Sequence, residues 1–175
     1  MGDARRLEFA EGFADVVLMH GPLYHLPKRE DRLMALWEAR RVLKPGGVLL
    51  AFAITRYAGL IYGLRNGYVF DPAYWKMIQQ EVKTGRREDP PDWLFPFPSA
   101  YFHLPGELRE EVEEARMACE EVLGILGPAW MVPDLEASWQ DEVQRGILLE
   151  IARLVENEPS LGPRLVAVGR KIGDR

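Results

Sequence analysis

The sequence predicts an α/β domain of three layers, a partial parallel-type sheet sandwiched between helices. Three observations carry this. An apolar run, Val16 to Met19, ends abruptly in His20-Gly21-Pro22. A charged amphipathic segment follows and stops at Pro45-Gly46-Gly47, where a second apolar run begins. A third apolar run, from Leu165, lies close to the C-terminus. Two fully apolar runs joined by a helix are the pattern of a βαβ unit in a sheet buried on both faces. Open sheets of this kind bind ligands beyond the carboxyl ends of their strands. The first run delivers a polar and aromatic cluster, HGPLYH, to that edge.

The elements follow in order. Residues 1–12 read as loop, with Leu7 and Phe9 turned inward. Val16 to His20 is a strand. Asp31 to Leu43 is a helix carrying Leu33, Leu36 and Leu43 along one face. Pro45-Gly46-Gly47 ends it, because proline cannot continue a helix and glycine accepts the left-handed cap. Val48 to Ile54 is the next strand. From 56 to 100 the composition shifts to aromatics and prolines, ending in PPDWLFPFPSAYF; an insertion of this kind after a core strand reads as a helical lid over a site. Within it Asp71-Pro72 has the form of a helix start, an N-cap before a first-turn proline. Gly106 to Ala118 is expected to be helical, Val122 to Leu126 a short strand, and Ser138 with Asp141 a capping box that opens a helix to about Glu156. Leu165 to Lys171 closes the fold as a strand.

With 175 residues, 47% of them hydrophobic and 28% charged, the chain reads as one ordinary globular domain. A net charge of −5 gives no broad cationic field, which disfavours nucleic acid and anionic membrane as partners. The single Cys119 excludes an internal disulfide and fits a reducing, cytoplasmic setting. The first residues are polar, unlike a signal peptide, and no apolar run reaches the roughly 18 residues of a membrane span. The three histidines lack metal-ligand spacing and no nucleophile elbow or phosphate loop is present, so no metal is expected.

Gly2-Asp3-Ala4, Phe13-Ala14-Asp15-Val16-Val17 and Glu38-Ala39-Arg40-Arg41-Val42-Leu43-Lys44-Pro45-Gly46-Gly47 resemble, in order and approximate spacing, the middle of the class I S-adenosylmethionine-dependent methyltransferases. The likeness is best in the first third of the chain, and RVLKPGG is its most specific part. It implies a Rossmann-like sheet of which these residues supply strands 4-5-7-6 in the family's numbering. The family's E/D-x-G-x-G-x-G loop and its acid-terminated second strand have no match here. The chain is therefore expected to correspond to the C-terminal part of such a domain, lacking the cofactor-loop half, and to be weak or inactive by itself. The strand from Val16 would then keep one edge unpaired, an association hazard that points to a homodimer.

The resemblance also implies residue roles. Asp3 and Ala4 would meet the adenine of S-adenosylmethionine, although Asp3 is otherwise an exposed residue near the terminus. His20, Gly21 and Pro22 would face the methionine end. Tyr24 or His25 would act as base or orient a nucleophile, the imidazole having a suitable pKa; the alternative is packing against the helix start. Arg56 and Tyr57 follow a strand end and would hold an anionic group, unless Arg56 makes a surface ion pair. Tyr101 and His103 would face substrate, or His103 would cap the helix at Gly106. Trp130 lines the pocket or is core. The aromatic insertion suits a small, planar or apolar acceptor better than a polymer. Two other readings stay open: a non-catalytic methyltransferase-like module for partner binding or self-association, and a nicotinamide-dependent Rossmann protein, which RVLKPGG argues against.

Overall fold

A computed structural model describes residues 2–94 and 99–173. Strand β1 (Ala14–His20) leads through the short helix α1 (Pro22–His25) to α2 (Arg29–Val42) and the long strand β2 (Leu43–Thr55). Helices α3 (Ala58–Asn66) and α4 (Pro72–Thr84) and strands β3 (Arg86–Arg87) and β4 (Ala100–His103) form the insertion. Helix α5 (Pro105–Glu114), β5 (Met117–Ile125), α6 (Leu135–Gln140), α7 (Glu142–Leu154) and β6 (Arg164–Lys171) complete the chain. The part of the expected lid at 95–98 lies outside the described residues. Among the described residues no helix is long and apolar enough to cross a membrane.

The sheet runs β1-β2-β6-β5, the expected 4-5-7-6 order. β1 pairs with β2 in parallel, and β6 lies antiparallel between β2 and β5. The last rungs of β2, at Ile54 and Thr55, pair with β4, which in turn pairs with β3. The main core gathers Leu36 and Leu43, Leu49 and Ala51, Leu108 and Val112, Met117, Leu165 and Ala167. It lies between the sheet and helices α2 and α5. On β1, Met19 is buried and Val17 packs on this core, while Val16 and Leu18, on the other face, are 58% and 64% exposed.

Local chemistry explains where the boundaries fall. Helix α2 starts two residues earlier than expected and places Glu30 and Asp31 in its first turn and Arg40 and Arg41 in its last, as the helix dipole favours. It stops at Val42, before Pro45-Gly46-Gly47. Those residues instead loop out of the β1–β2 ladder: Ala14 faces Leu43, but Val16 faces Val48. Gly46 takes φ +78° in that excursion. Asp71 caps α4 as expected, its carboxylate accepting from the Tyr74 amide.

Three expectations change. Helix α5 ends at Glu114, because Arg116 takes a left-handed turn (φ +56°) and Met117 starts a strand. Cys119 therefore lies on β5, buried by the alternation of a strand. The expected single helix from Ser138 is two helices. Asp134 caps the first through the Ala137 amide, and Asp141 caps the second through the Gln144 amide. Phe9 does not turn inward: it is 53% exposed and stacks on Phe13 with ring centres 5.1 Å apart.

Candidate functional site

At the carboxyl end of β1 a cavity of about 700 Å³ is walled by Asp3, Ala4 and Arg5 on one side and by His20, Gly21, Pro22, Tyr24, His25 and Leu26 on the other. Its size falls within the range of small-molecule sites. The geometry at Gly21 builds the second wall. The chain must leave β1 and enter α1 within one residue, which Gly21 does at φ +134°, a conformation that L side chains rarely adopt. Pro22 then opens α1, and the ring of Tyr24, which is buried, packs 4.7 Å from that of His25.

The electrostatics are set by two arginines that the sequence did not single out. Arg5 donates from its backbone amide and from Nε and Nη2 to the Asp3 carboxylate, and from Nη1 to Asp31. These bonds hold the Asp3 carboxyl at about 2, below the usual carboxylate range. Asp3 therefore faces the cavity ionised, with Arg5 pinning its orientation. Arg164, at the start of β6, points its Nη1 at His20 Nε2, 3.1 Å away. A guanidinium only donates, so that nitrogen accepts and His20 carries its proton on Nδ1. The His20 ring lies edge-on to Phe52 with centres 4.9 Å apart. Neither arginine had a sequence signal: Arg5 acts through a two-residue turn, and Arg164 reaches His20 across 144 positions.

The structure thus brings Asp3, Ala4, His20, Gly21, Pro22, Tyr24 and His25 to one cavity. The other candidates lie elsewhere. Arg56 is buried; its Nη2 ion-pairs with Glu107 at 2.6 Å and its Nε donates to the Phe102 carbonyl. That guanidinium ties β2 to the insertion and is neither a surface ion pair nor free for a substrate anion. His103 is wholly buried, with Nε2 3.3 Å from Glu111; the amide at the start of α5 is satisfied by Glu107, which accepts from Leu104 N–H. Burial pushes the His103 pKa down, so the ring is neutral. Its Nε2 then donates to the carboxylate, and Nδ1 is a buried acceptor with no hydrogen-bond partner among the described residues. The Tyr101 ring lies edge-on to His103. Tyr57 is part-exposed at the start of α3. Trp130 is half-buried, its backbone carbonyl accepting from Arg65.

A wider recess of about 1220 Å³ adjoins the first at Gly2 and Asp3 and is bounded by residues 6–10 and Arg41. Arg41 is committed there to Glu38 and to the carbonyls of Leu7 and Phe9, while Asp3, Arg6 and Glu8 also line the recess. The two share the Asp3 carboxylate, and only the cavity at the end of β1 adds two histidines and a tyrosine to it.

Comparison with known proteins bears on the family and the fold. Residues 1–51 match a family model described as a methyltransferase domain. No curated protein matches the sequence. Among solved structures, an S-adenosylmethionine-dependent methyltransferase from Methanosarcina mazei superposes with a TM-score of 0.60 at 18% identity, covering 99% of this chain and 66% of its own length. One from Mesorhizobium loti gives 0.55 at 14% identity, with 97% and 67% covered. The methyltransferase in a complex with the Trm112 methyltransferase activator from Haloferax volcanii gives 0.52 at 18%, with 99% and 60% covered. The chain thus spans about 60–66% of the length of the first solved structures it matches. With strand order and structural likeness in agreement, this chain carries the fold of the S-adenosylmethionine-dependent methyltransferases, and its residues 1–51 match the methyltransferase-domain model.

Proposed function

We propose that this chain binds S-adenosylmethionine in the cavity at the end of β1 and contributes to methylation of a small molecule. The observation that carries the reading is the convergence on one cavity of the seven residues expected at the cofactor and the reacting centre. The donor set suits the group. Asp3, its carboxyl lowered by the Arg5 bonds, offers an ionised acceptor for an exocyclic amine at neutral pH, and the backbone around Gly21 comes close to the cavity without a side chain in the way. When bound, the cofactor supplies an electrophilic methyl group carried on a sulfonium. The chain's own part is to hold donor and acceptor in line and, for an acidic acceptor, to take its proton. Tyr24 and His25, which line the cavity with their rings in contact, are the side chains we assign to handling that proton. His20 is held instead by Arg164, whose Nη1 points at its Nε2.

The contacts these residues offer are only part of what a tight site uses. Each missing hydrogen bond costs on the order of 1–3 kcal/mol, so the 175-residue chain is expected to bind weakly, well short of low-micromolar affinity. Titration with S-adenosylhomocysteine, followed by NMR at His20, Tyr24 and His25, tests the site. Shifts confined to those residues at millimolar ligand support it; no shift there, or shifts elsewhere, overturns it.

A second reading, a non-catalytic module that self-associates, is favoured by β1. Among the described residues this strand pairs only with β2, and it exposes Val16 and Leu18. We infer that a second copy covers this edge. A partner protein, of the kind the Haloferax methyltransferase takes, is the competing occupant that a measured homodimer excludes.

A further inference from the structure

Arg32 has no place in the chemistry derived above, yet it is fully buried, at 1% exposure. Each of the three nitrogens of its guanidinium donates. Nε and Nη2 bind Glu111 of α5, the shortest bond being 2.6 Å. Nη1 donates to two backbone carbonyls, those of Leu26 and Pro27, each at 3.0 Å. The flat face of the group lies 3.6 Å from the centre of the Tyr101 ring on β4. Glu111 in turn accepts from His103, also on β4. One cation therefore touches the loop that walls the cavity, the strand of the insertion and helix α5 together. With Arg56 and Glu107, whose carboxylate also accepts from the Tyr101 hydroxyl at 3.3 Å, the cluster holds two cations and two anions.

We propose that Arg32 is a positioning residue for the cavity. By clamping the Leu26 and Pro27 carbonyls it fixes the conformation of the 20–27 loop, and by stacking on Tyr101 it makes that conformation depend on the seating of β4. The 20–25 part of the loop is anchored by Leu23, wholly buried in the main core, and by the buried Tyr24; the clamp acts on the residues that follow. α1 is a four-residue helix without a side-chain cap, too short to be stable alone. The residues that follow it make no ladder. Their carbonyls would otherwise seek water, and two of them instead meet a charged donor, a stronger bond than a neutral one. The fork geometry matters more than the charge. A guanidinium can bind a carboxylate on one edge and two carbonyls on another; an ammonium cannot. The clamp's importance for ligand binding rests on the function proposed above; the clamp itself does not.

Hydrogen exchange on the full 175-residue chain, read by peptide, tests the proposal. Arg32→Lys keeps a cation beside Glu111 but loses the fork. Its 20–28 peptide is expected to exchange about tenfold faster, while the β2–β6 ladder (48–54 with 164–170) stays as protected as in the original. A purely structural role would instead raise exchange in both. Tyr101→Leu leaves every charge in place and decides the matter if Arg32→Lys does not fold: faster exchange at 20–28, distant in sequence from the change, is expected. Unchanged exchange at 20–28 in the folded variants, or an equal rise across the molecule, overturns the clamp. Adding S-adenosylhomocysteine to the original chain is a separate arm. If it fails to slow exchange at 20–28, the cofactor assignment fails while the comparison between variants still stands.

Discussion

Gly63→Ala and Gly146→Ala make one chemical change in two helices and are expected to shift stability in opposite directions. Gly63 lies inside α3 and is buried. A Cβ there would come within 2.4 Å of Tyr74 Cε1 and 2.9 Å of its hydroxyl. Ordinary contact begins near 3.4 Å, and 3.4 minus 2.4 leaves about 1 Å that the ring must yield, against a packed interior. Tyr74 cannot easily move. It is 1% exposed, its hydroxyl donates to the Gly59 carbonyl at 2.7 Å, and its ring abuts Tyr68 and Trp93. Overpacking of this kind costs about 1–3 kcal/mol, and breaking the hydroxyl bond about 1 more. The better helix propensity of alanine returns about 1 kcal/mol. The net is a loss of about 1–3 kcal/mol, or a Tm lower by about 2–12 °C for a chain of this size. Gly146 in α7 has nothing within 4 Å of its would-be Cβ, so only the propensity gain remains, up to about 1 kcal/mol and about 2–4 °C. Thermal unfolding followed by circular dichroism measures both. A rise in Tm for Gly63→Ala, or shifts of the same sign for both variants, would refute the packing argument.

Other consequences can be checked in the same way. His103 has a folded pKa below the ordinary 6.5 because burial disfavours its charged form. Its neutral state is therefore stabilising above 6.5, and that contribution is lost as pH falls through 6.5 towards the folded value; urea unfolding across this range should show His103→Gln flatter than the original. Leu18→Lys replaces an outward-facing residue on β1, whereas Val17 faces the core; light scattering should show the folded variant shifted towards monomer, and an original chain that is monomeric at high concentration removes the self-association reading. Gly21→Ala meets no closer atom than the Tyr24 hydroxyl at 3.8 Å, so its cost is backbone strain at φ +134°, about 1–3 kcal/mol, and it should also weaken S-adenosylhomocysteine binding; a variant as stable as the original would mean that the loop readily adopts another conformation.

What the sequence revealed followed from how local each cause was. The βαβ unit was legible because apolar period and helix length are carried by contiguous residues, and the resemblance supplied the strand order. The Asp71 cap was legible because cap and first-turn proline are adjacent. The α5–β5 boundary was not, because Val112 and Cys119 continue an apparent helical stripe. Only the left-handed turn at Arg116 separates Val112, on a helix, from Cys119, on a strand. The 134–141 region was misread because Asp134 and Asp141 each cap their own helix, and a capping box seen at Ser138 masks both. In the site, residues on the HGPLYH loop were found because one strand end delivers them together. Arg56 and His103 were expected at a ligand because both sit at strand ends. Their partners, Glu107 and Glu111, lie one and two turns into the next helix and pull them into the interior instead. Arg5, Arg32 and Arg164 were passed over because an arginine's role is fixed by what it reaches, and their reach runs to residues 31, 111 and 20.

Strand β2 has a further consequence. Its 13 residues serve β1 and β6 along most of their length and then, at Ile54 and Thr55, bond to β4. The aromatic insertion is thus not slung from a tether that swings; it is grafted onto the end of the sheet's central rod. Arg56 fastens the graft by donating from its amide to the His103 carbonyl and from its side chain to those of Phe102 and Val82. To swing away, the insertion would have to unzip these bonds and bend a central strand. The cavity at the end of β1 is lined by residues 2–5 and 20–26 and by none of the insertion's described residues, so access to it is governed by the 20–27 loop and the residues before β1.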